Sequence, residues 1–250
     1  MEYQVDDAND RNYNPYNLGT WSSISQVDTF LRRFNHASAY KDGNTKLRVG
    51  NYVTIQDGTY NIIWEIAGFD MEHNQGAADG TTYDNGYGIC LIPQNSMPSA
   101  ATWNATDTVA GGYKASTMHN THLPTIVSKL ENVLGNHIVT RNVLLSSSIS
   151  YNRSNAYTWT TGKATLMSVG QVTGTFAANN NKYDDGEANY RLPIFNSKNY
   201  GNGSFWSRGI YGRNSDGNQA WYITGGSSEI SLSNGRVFYQ SGVRPLIYLR

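Results

Sequence analysis

The chain has 250 residues, of which 15% are charged, and its formal net charge is zero. Without an excess of either sign, it lacks the electrostatic footprint of a protein that binds nucleic acid or a membrane surface. Its single cysteine, Cys90, excludes an intrachain disulfide and a cysteine-based zinc site. Glycine and tyrosine are abundant (25 and 18 residues), which is typical of adaptable binding loops and also of loop-rich β proteins.

The length predicts one main domain with a sizeable core. Residues 1–20 are polar, include Pro15 and show no periodicity, so we expect an extended arm or a disordered segment before a domain over 21–250. The first residues lack the basic and apolar regions of a signal peptide, and no apolar run is long enough to span a membrane. We therefore expect synthesis in the cytoplasm without a signal peptide, and no membrane insertion.

Two segments have the apolar spacing of an amphipathic helix. In residues 22–35 and in residues 122–134, apolar side chains recur every three or four positions. Each helix should pack its apolar face on a neighbour, and the first could be a separate docking element. The capping signals are Ser22 or Ser23 for the first helix and, for the second, Thr121 before it, Pro124 in its first turn and Gly135 after it.

Short apolar runs between turn residues predict the strands. Residues 48–55 and 60–70 flank the turn Asp57-Gly58, which is typical of a β-hairpin, and residues 89–92 form a run typical of a buried strand. Further strands are predicted at 138–145 and 166–172. At the C-terminus the runs FWS, AWYIT, RVFY and PLIYL alternate with Gly, Asn, Ser and Asp clusters at hairpin spacing.

This order of elements predicts an α+β fold with a largely antiparallel sheet. The final run should close a sheet, because a strand over 246–249 would bury several large side chains. The stretches 71–88 and 173–204 contain few core residues, and loops of that length are uncommon unless they are functional.

Three segments carry a family resemblance: the hairpin GNYVTI…YNIIWEIAGFD, the internal GGYKASTMHNTHLPTIVSKLENVLGNHIV and the terminal FWSR…AWYIT…GVRPLIYLR. Together they resemble the C-type-lectin-like domains of bacteriophage and gut-bacterial proteins. That fold is related to the formylglycine-generating enzyme and to the variable proteins of diversity-generating retroelements, such as the phage major tropism determinant. The resemblance covers residues 45–250 and implies a C-type-lectin-like fold, with two helices packed on a mostly antiparallel sheet and long loops.

The resemblance also has consequences for topology and for sequence variation. Because the family pairs its first and last strands, residues 52–55 or 62–66 should lie near residues 243–249. The loops between 196 and 235 should gather on one face. If the final stretch is diversified as in retroelement variable proteins, the candidate positions are Asn202, Ser204, Tyr211, Asn214, Asn218, Ser228 and Ser231.

Ligand binding is expected in this C-terminal region, because aromatic and arginine side chains are favoured at interface centres and small neighbours let them adapt. The predicted ligand-binding residues are Tyr200, Asn202, Phe205, Arg208, Tyr211, Arg213, Asn214, Asn218 and Trp221. Alternatively, some of these side chains stabilise the fold and bind no ligand. Trp206 and Trp221 would then belong to the core, and Arg208 would cap a strand.

Metal binding is not expected. The carboxylates at Asp184, Asp185 and Glu187 could supply some of the about six to eight oxygens that calcium needs, but their spacing fits no EF-hand loop. The Glu-Pro-Asn and Trp-Asn-Asp signatures of calcium-dependent lectins are missing. His119 and His122 lie three residues apart without a carboxylate or cysteine at ligand spacing, so we expect surface histidines and no cofactor.

Motifs of catalysis are missing from the sequence. There is no Gly-x-Ser-x-Gly elbow, P-loop, dinucleotide glycine motif or His-Glu-x-x-His. The formylglycine-generating enzyme relies on a cysteine pair, and Cys90 is alone, so its activity is not transferred to this chain. Paired carboxylates for glycoside hydrolysis stay open, because their separation is a property of the fold. We expect a protein that is not an enzyme.

The resulting hypothesis is a phage virion protein, an adhesin or receptor-binding component such as a tail fibre. It would bind a host-surface glycan or protein through its C-terminal loops during host attachment. The alternative is a capsid decoration or head-fibre protein that residues 1–20 anchor to other virion proteins. Phage fibres suggest a homotrimer, which would strengthen weak contacts by multivalency, although the residues themselves specify no oligomeric state.

Overall fold

The structure is a computed structural model that describes residues 15–35, 47–71, 75–76, 82–83, 85–86, 88–146, 157–174, 191–197, 203–211, 218–225 and 230–250. The strands are β1 (Asn17–Trp21), β2 (Tyr52–Gln56), β3 (Asn61–Phe69), β4 (Gln75–Gly76), β5 (Thr82–Tyr83), β6 (Ile89–Pro93), β7 (Ala101–Thr102), β8 (Arg141–Ser146), β9 (Tyr157–Gly162), β10 (Ala164–Leu166), β11 (Gly203–Tyr211), β12 (Gln219–Gly225), β13 (Ile230–Arg236), β14 (Gln240–Ser241) and β15 (Pro245–Leu249). The helices are α1 (Ile24–Asn35), α2 (Gly112–Ala115), α3 (Leu123–Leu134), α4 (Val169–Thr173) and α5 (Ile194–Ser197). A π-helical turn, Met118–His122, precedes α3, and a 3-10 turn, Gly135–His137, follows it.

The main sheet has six strands in the order β1-β2-β3-β6-β15-β10. Only β1 and β2 run parallel, and the other pairs are antiparallel. The prediction of an α+β fold with a largely antiparallel sheet is therefore confirmed. Residues 17–20, the last four of the predicted arm, belong to β1, which is an edge strand of the main sheet.

The predicted β-hairpin is confirmed as β2 and β3, in a register that pairs Tyr52 with Glu65 and Gln56 with Asn61. Its turn is held by a local contact, because Asp57 Oδ1 accepts hydrogen bonds from the backbone N–H groups of Thr59 and Tyr60, both at 2.7 Å. An aspartate that bonds the backbone two and three residues later specifies a turn without help from the rest of the chain.

The closing strand β15 lies inside the main sheet, where all five of its residues are buried. It pairs with β6 on one side and β10 on the other. The prediction that the C-terminus closes a sheet is confirmed. The expected proximity of β15 to β2 or β3 does not extend to pairing, because β6 lies between β3 and β15.

Both faces of the main sheet are covered, which explains why its central strands are continuous apolar runs. In β6, Ile89 and Leu91 face one hydrophobic cluster and Cys90 and Ile92 face the other. In the same way, successive residues of β15 alternate between the two clusters. Cys90 is buried and forms no disulfide, and its burial agrees with its position in the apolar run.

Helices α1 and α3 contact each other and pack on the first of these clusters through Val27, Leu31, Val127 and Leu130, among others. Both predicted helices are confirmed. Gln26 Oε1 accepts from the backbone N–H of Ser22 and of Ser23, at 2.7 and 3.2 Å, and so caps the start of α1.

The end of α3 agrees with the predicted signal, and its start does not. Gly135 follows the helix with a φ of 56°, a conformation that glycine adopts at little cost. Thr121 is not the N-cap, because the π-helical turn runs directly into α3. The carbonyl of Thr121 instead accepts from Thr125 Oγ1 at 2.8 Å.

The prediction of one strand over 166–172 is wrong. Leu166 ends β10, and the chain then turns into α4. Ser168 Oγ accepts from the backbone N–H of Gln171 at 3.0 Å, and Gln171 Oε1 accepts from the N–H of Ser168 at 2.9 Å. This reciprocal capping box starts a helix where the apolar residues alone had suggested a strand.

A second sheet, with the order β11-β12-β13, joins the two hydrophobic clusters. Trp206 of β11 belongs to the first cluster and its neighbour Phe205 to the second, as strand alternation requires. Trp206 Nε1 donates to the carbonyl of Ala101 at 2.9 Å, and Trp103 Nε1 donates to the carbonyl of Ser207 at 3.1 Å. These bonds attach the stretch 93–117, which includes β7 and α2, to β11.

Candidate functional site

The three-stranded sheet has two ends, and the strand register shows which residues lie at each. At one end Gly203 pairs with Gly225, which pairs with Ile230. At the other end Tyr211 pairs with Gln219, which pairs with Arg236. Because β12 is seven residues long, the two ends lie about 20 Å apart. We call the second one the Arg236 end.

The predicted ligand-binding residues divide between these two ends. Tyr211 and Asn218 lie at the Arg236 end, on either side of residues 212–217. Tyr200, Asn202, Arg213 and Asn214 lie outside the described residues. Strand β11 begins at Gly203, which lies at the end opposite to Arg236. A ligand the size of one sugar or one side chain could contact only one end.

Three of the predicted residues, Phe205, Arg208 and Trp221, are buried within the protein. Arg208 Nη1 donates to the carbonyl of Leu166 at 3.1 Å and to Gln171 Oε1 at 3.0 Å. The guanidinium thereby links β11 to the end of β10 and to the capping box of α4. In this structure the three side chains support the fold beneath the predicted surface.

An exposed aromatic turn lies at the Arg236 end, at residues 237–239. Strand β13 ends at Arg236, so the predicted RVFY strand is wrong: Val237 is buried, while Phe238 and Tyr239 are exposed by 36% and 55%. The two rings meet edge to face, with centroids 4.6 Å apart. They form a small apolar surface that water can reach.

Backbone hydrogen bonds hold the aromatic turn in place. The N–H of Val237 donates to the carbonyl of Asn218 at 3.0 Å, and the carbonyl of Val237 accepts from the N–H of Asn104 at 2.9 Å. The N–H of Tyr239 donates to the carbonyl of Arg236 at 3.0 Å. Because the buried Val237 and these three bonds position the turn, both rings are presented before any ligand arrives.

A polar group, which we call the Asp107 cluster, stands beside the aromatic turn. Asp107 Oδ2 accepts a hydrogen bond from Asn218 Nδ2 at 3.0 Å and forms an ion pair with Arg236 Nη2 at 3.2 Å. The Arg236 guanidinium lies over the Phe238 ring at 5.4 Å from its centroid. Among the described residues, Asp107 Oδ1 and the remaining nitrogens of Arg236 have no further partner. The cluster therefore joins the ion pair to the rings and retains unused acceptor and donor atoms.

Sequence reasoning identified Asn218 but not Asp107, Arg236, Phe238 or Tyr239 as site residues. Asp107 lies 111 residues from Asn218, so only the tertiary structure brings them together. The exposed aromatic pair could have been recognised from the sequence. Neighbouring residues of a strand point to opposite faces, so the run Val237-Phe238-Tyr239 requires either two covered faces or a turn.

The predicted surface histidines are instead partly buried. His119 and His122 lie on the π-helical turn, and His119 Nε2 is 2.8 Å from Thr160 Oγ1. Burial lowers the pKa of His119, and the charge of Lys114 lowers it further; burial also lowers the pKa of His122. These shifts favour the neutral form of both imidazoles.

Metal ligands are not gathered anywhere in the described ranges, where no group of three His, Cys, Asp or Glu side chains could hold an ion. The acidic turn with Asp184, Asp185 and Glu187 lies outside those ranges. The absence of a metal therefore stays a prediction. No described helix has the length and apolar character needed to cross a membrane.

These observations define an α+β protein, with mostly antiparallel sheets, that presents an aromatic turn and an ion pair at one end of its second sheet. Comparison of the chain with family models, with curated proteins and with solved structures finds no match in any of the three.

Proposed function

We propose that this chain is a non-enzymatic phage virion protein with a C-type-lectin-like domain, and that it binds a host-surface glycan or protein at the Arg236 end. The observation that carries the proposal is the aromatic turn, whose backbone is held by hydrogen bonds and whose exposed rings lie beside the Asp107 cluster. Residues 212–217, which include the predicted Arg213 and Asn214, connect β11 and β12 at the same end.

The composition of this surface is that of a binding centre. Aromatic and arginine side chains contribute most to the affinity of interfaces, and a rigid turn avoids the entropy of ordering them on binding. The buried Phe205, Arg208 and Trp221 fix the sheet that carries the surface. No cofactor is needed, since ring contacts and hydrogen bonds from arginine, aspartate and asparagine supply the interaction.

The C-type-lectin-like assignment and the virion location rest on the resemblance of the hairpin, the internal helical segment and the C-terminal strands. The observed α+β architecture is compatible with that fold. Two packed helices and a C-terminal strand inside the main sheet support it.

The proposal predicts that attachment depends on one end of the second sheet. Labelled protein is incubated with a panel of bacterial strains, and the variant with Tyr211→Ala and Arg213→Ala is compared with wild type. We expect attachment to fall about tenfold or more, because two contacts at an interface centre are lost. The melting temperature should stay within a few degrees of wild type, because surface changes alter stability little.

The matched control is the variant with Tyr200→Ala and Asn202→Ala, two positions that precede in the sequence Gly203, the β11 residue at the opposite end. It should attach as wild type does. Equal loss in both double variants would contradict the choice of the Arg236 end. Failure of the wild-type protein to attach to any strain would contradict the proposed function and favour capsid decoration through residues 1–20.

A further inference from the structure

We propose that the aromatic turn and the Asp107 cluster together form a carbohydrate site that takes one uncharged pyranose ring. This inference rests on the proposed function, because it identifies the ligand of the same surface. It commits to a glycan, whereas the proposed function leaves open a glycan or a protein. The residues that carry it are Phe238, Tyr239, Asp107, Arg236 and Asn218.

The two rings supply the apolar half of such a site. A pyranose has a face of C–H groups, and an aromatic ring carries negative charge on its face, so the two surfaces attract each other beyond simple burial. Because the Phe238 and Tyr239 rings stand at an interplanar angle of 63°, they form a corner instead of a flat wall. A compact sugar ring can contact one ring with its face and the other with its edge.

The Asp107 cluster supplies the polar half. A sugar hydroxyl both donates and accepts, so neighbouring hydroxyls are best met by an acceptor and a donor side by side. Asp107 Oδ1 is such an acceptor, and the guanidinium nitrogens of Arg236 that do not contact Asp107 are such donors. Hydrogen bonds from charged groups are stronger than those between neutral ones, which favours this pairing over water.

The charges at this place favour a neutral ligand. Arg236 is the cation and Asp107 the anion of one ion pair, at 3.2 Å, so the described part of the cluster has no net charge. An anionic sugar would face the carboxylate of Asp107, and a cationic one would face Arg236. An uncharged hexose can hydrogen-bond with both groups without repulsion.

The size of the surface favours a sugar over a protein. A stable protein interface covers roughly 800 Å² on each partner and has an extended apolar centre. Among the described residues of the Arg236 end, the exposed large apolar side chains are Phe238 and Tyr239, and Asp107, Arg236 and Gln240 are polar and accessible. Two rings and one ion pair match the area of a single pyranose.

The experiment measures binding of the purified full-length chain to an array of immobilised neutral bacterial polysaccharides and methyl hexosides. We expect wild-type protein to bind members of the array with an affinity that does not change between low and high salt. The single variants Phe238→Ala, Tyr239→Ala and Asp107→Asn should each weaken binding about tenfold, in line with the strength of one ring contact or one charged hydrogen bond.

The matched control is Tyr16→Ala, which removes another aromatic side chain that is 64% exposed and lies at the edge of the main sheet. It should bind the array as wild type does. Binding that is lost at high salt, or that Phe238→Ala and Tyr239→Ala leave unchanged, would overturn the inference.

A second measurement separates this inference from the proposed function. Strains that the wild-type protein attaches to are treated with periodate, which cleaves the vicinal diols of sugars, or with protease. Loss of attachment after periodate alone supports the carbohydrate site. If attachment survives periodate and is lost after protease, the partner is a protein: the inference fails, while the proposed function stands.

Discussion

Gly242 shows at the level of single residues how closely the backbones of this protein approach each other. Its N–H donates to the carbonyl of Ser204 and its carbonyl accepts from the N–H of Trp206, both at 3.0 Å. A Cβ on Gly242 would lie 2.5 Å from the Ser204 oxygen and would overlap Ser96 Oγ. The glycine of the Gly-Val-Arg-Pro segment is therefore required by space, because only a hydrogen fits there.

We predict that Gly242→Ala lowers the free energy of unfolding by about 2–3 kcal/mol, because the overlap pushes the backbones of β11 and residue 242 apart. Denaturant unfolding measures the change, with Ser241→Ala as the neighbouring control, which should change little. Adding Ser96→Gly should restore only part of the loss, since the Ser204 carbonyl remains in the way. If Gly242→Ala were as stable as wild type, the backbone at residue 242 and β11 could move apart at little cost, which would contradict the prediction.

Arg244 of the same segment is a buried cation with a structural task. Its Nε and Nη2 both donate to the carbonyl of Pro93, at 3.1 and 2.9 Å, and its guanidinium lies 4.9 Å from the Phe205 ring centroid. The Arg244 guanidinium thereby joins the residue before β15 to the end of β6. Lysine could not replace it, because an ammonium group lacks the planar pair of donors.

At the level of elements, the π-helical turn before α3 contains two partly buried histidines, His119 and His122. The pKa of each is lowered, in His119 by burial and then by Lys114, and in His122 by burial. A histidine whose pKa is lower in the folded state binds its proton more readily when the chain is unfolded. Its contribution to stability is therefore complete above the unfolded pKa of about 6.5 and is lost as the pH falls below it.

We predict that the melting temperature of the wild-type protein falls more steeply between about pH 7 and pH 5 than that of His119→Gln, because glutamine has no proton to gain. Glutamine can still hydrogen-bond with Thr160, so the packing is preserved as far as possible. Above about pH 7.5, where both imidazoles are neutral in either state, the two melting curves should run parallel. If the melting temperatures of the two proteins fell equally steeply between about pH 7 and pH 5, His119 would not have a lowered pKa in the folded state.

At the level of the whole molecule, the main sheet and its two hydrophobic clusters form the most protected part of the described structure. Strands β6 and β15 have a paired neighbour on each side and a covered face above and below. Strand β1 lies at the edge, and most of its residues are exposed or half-buried. Opening of the central strands therefore requires disruption of the core, whereas the edge can open locally.

We predict that backbone amides of β6 and β15 exchange with deuterium most slowly and that those of β1 exchange faster by about tenfold or more, as local opening is far less costly than global unfolding. Mass spectrometry of peptides covering residues 15–21, 88–93 and 244–250 measures the exchange of β1, β6 and β15. The β2–β3 hairpin, which shares the sheet, is the internal reference. Equal protection of β1 and β6 would mean that the edge strand unfolds only with the core.

Much of the fold could be predicted from the sequence, and the candidate surface at the Arg236 end only in part. The hairpin around Asp57, the two long helices and the closing strand follow from local pattern, and all are observed. Of the residues predicted to bind a ligand, Asn218 lies in the candidate surface at the Arg236 end. The prediction also included Phe205, Arg208 and Trp221, whose side chains are buried. An aromatic residue suits a core and a binding surface equally well, so its type alone does not distinguish the two.

The sequence by itself determined those features whose causes lie within a few residues. They include the turn that Asp57 closes, the helix that ends at Gly135 and the capping box of Ser168 and Gln171, although the last was overlooked beside the apolar residues around it. Local hydrogen bonds and apolar periodicity act over one or two turns of chain, so they can be recognised without knowledge of the rest.

Only the tertiary structure decided which strands are neighbours and which side chains meet. It inserted β6 between β3 and β15, and it brought Asp107 to Asn218 and Arg236 across more than a hundred residues. It also left Phe238 and Tyr239 exposed while burying Trp206. Such outcomes depend on how all the apolar surface of the chain is buried at once, and that balance is a property of the whole fold rather than of any segment.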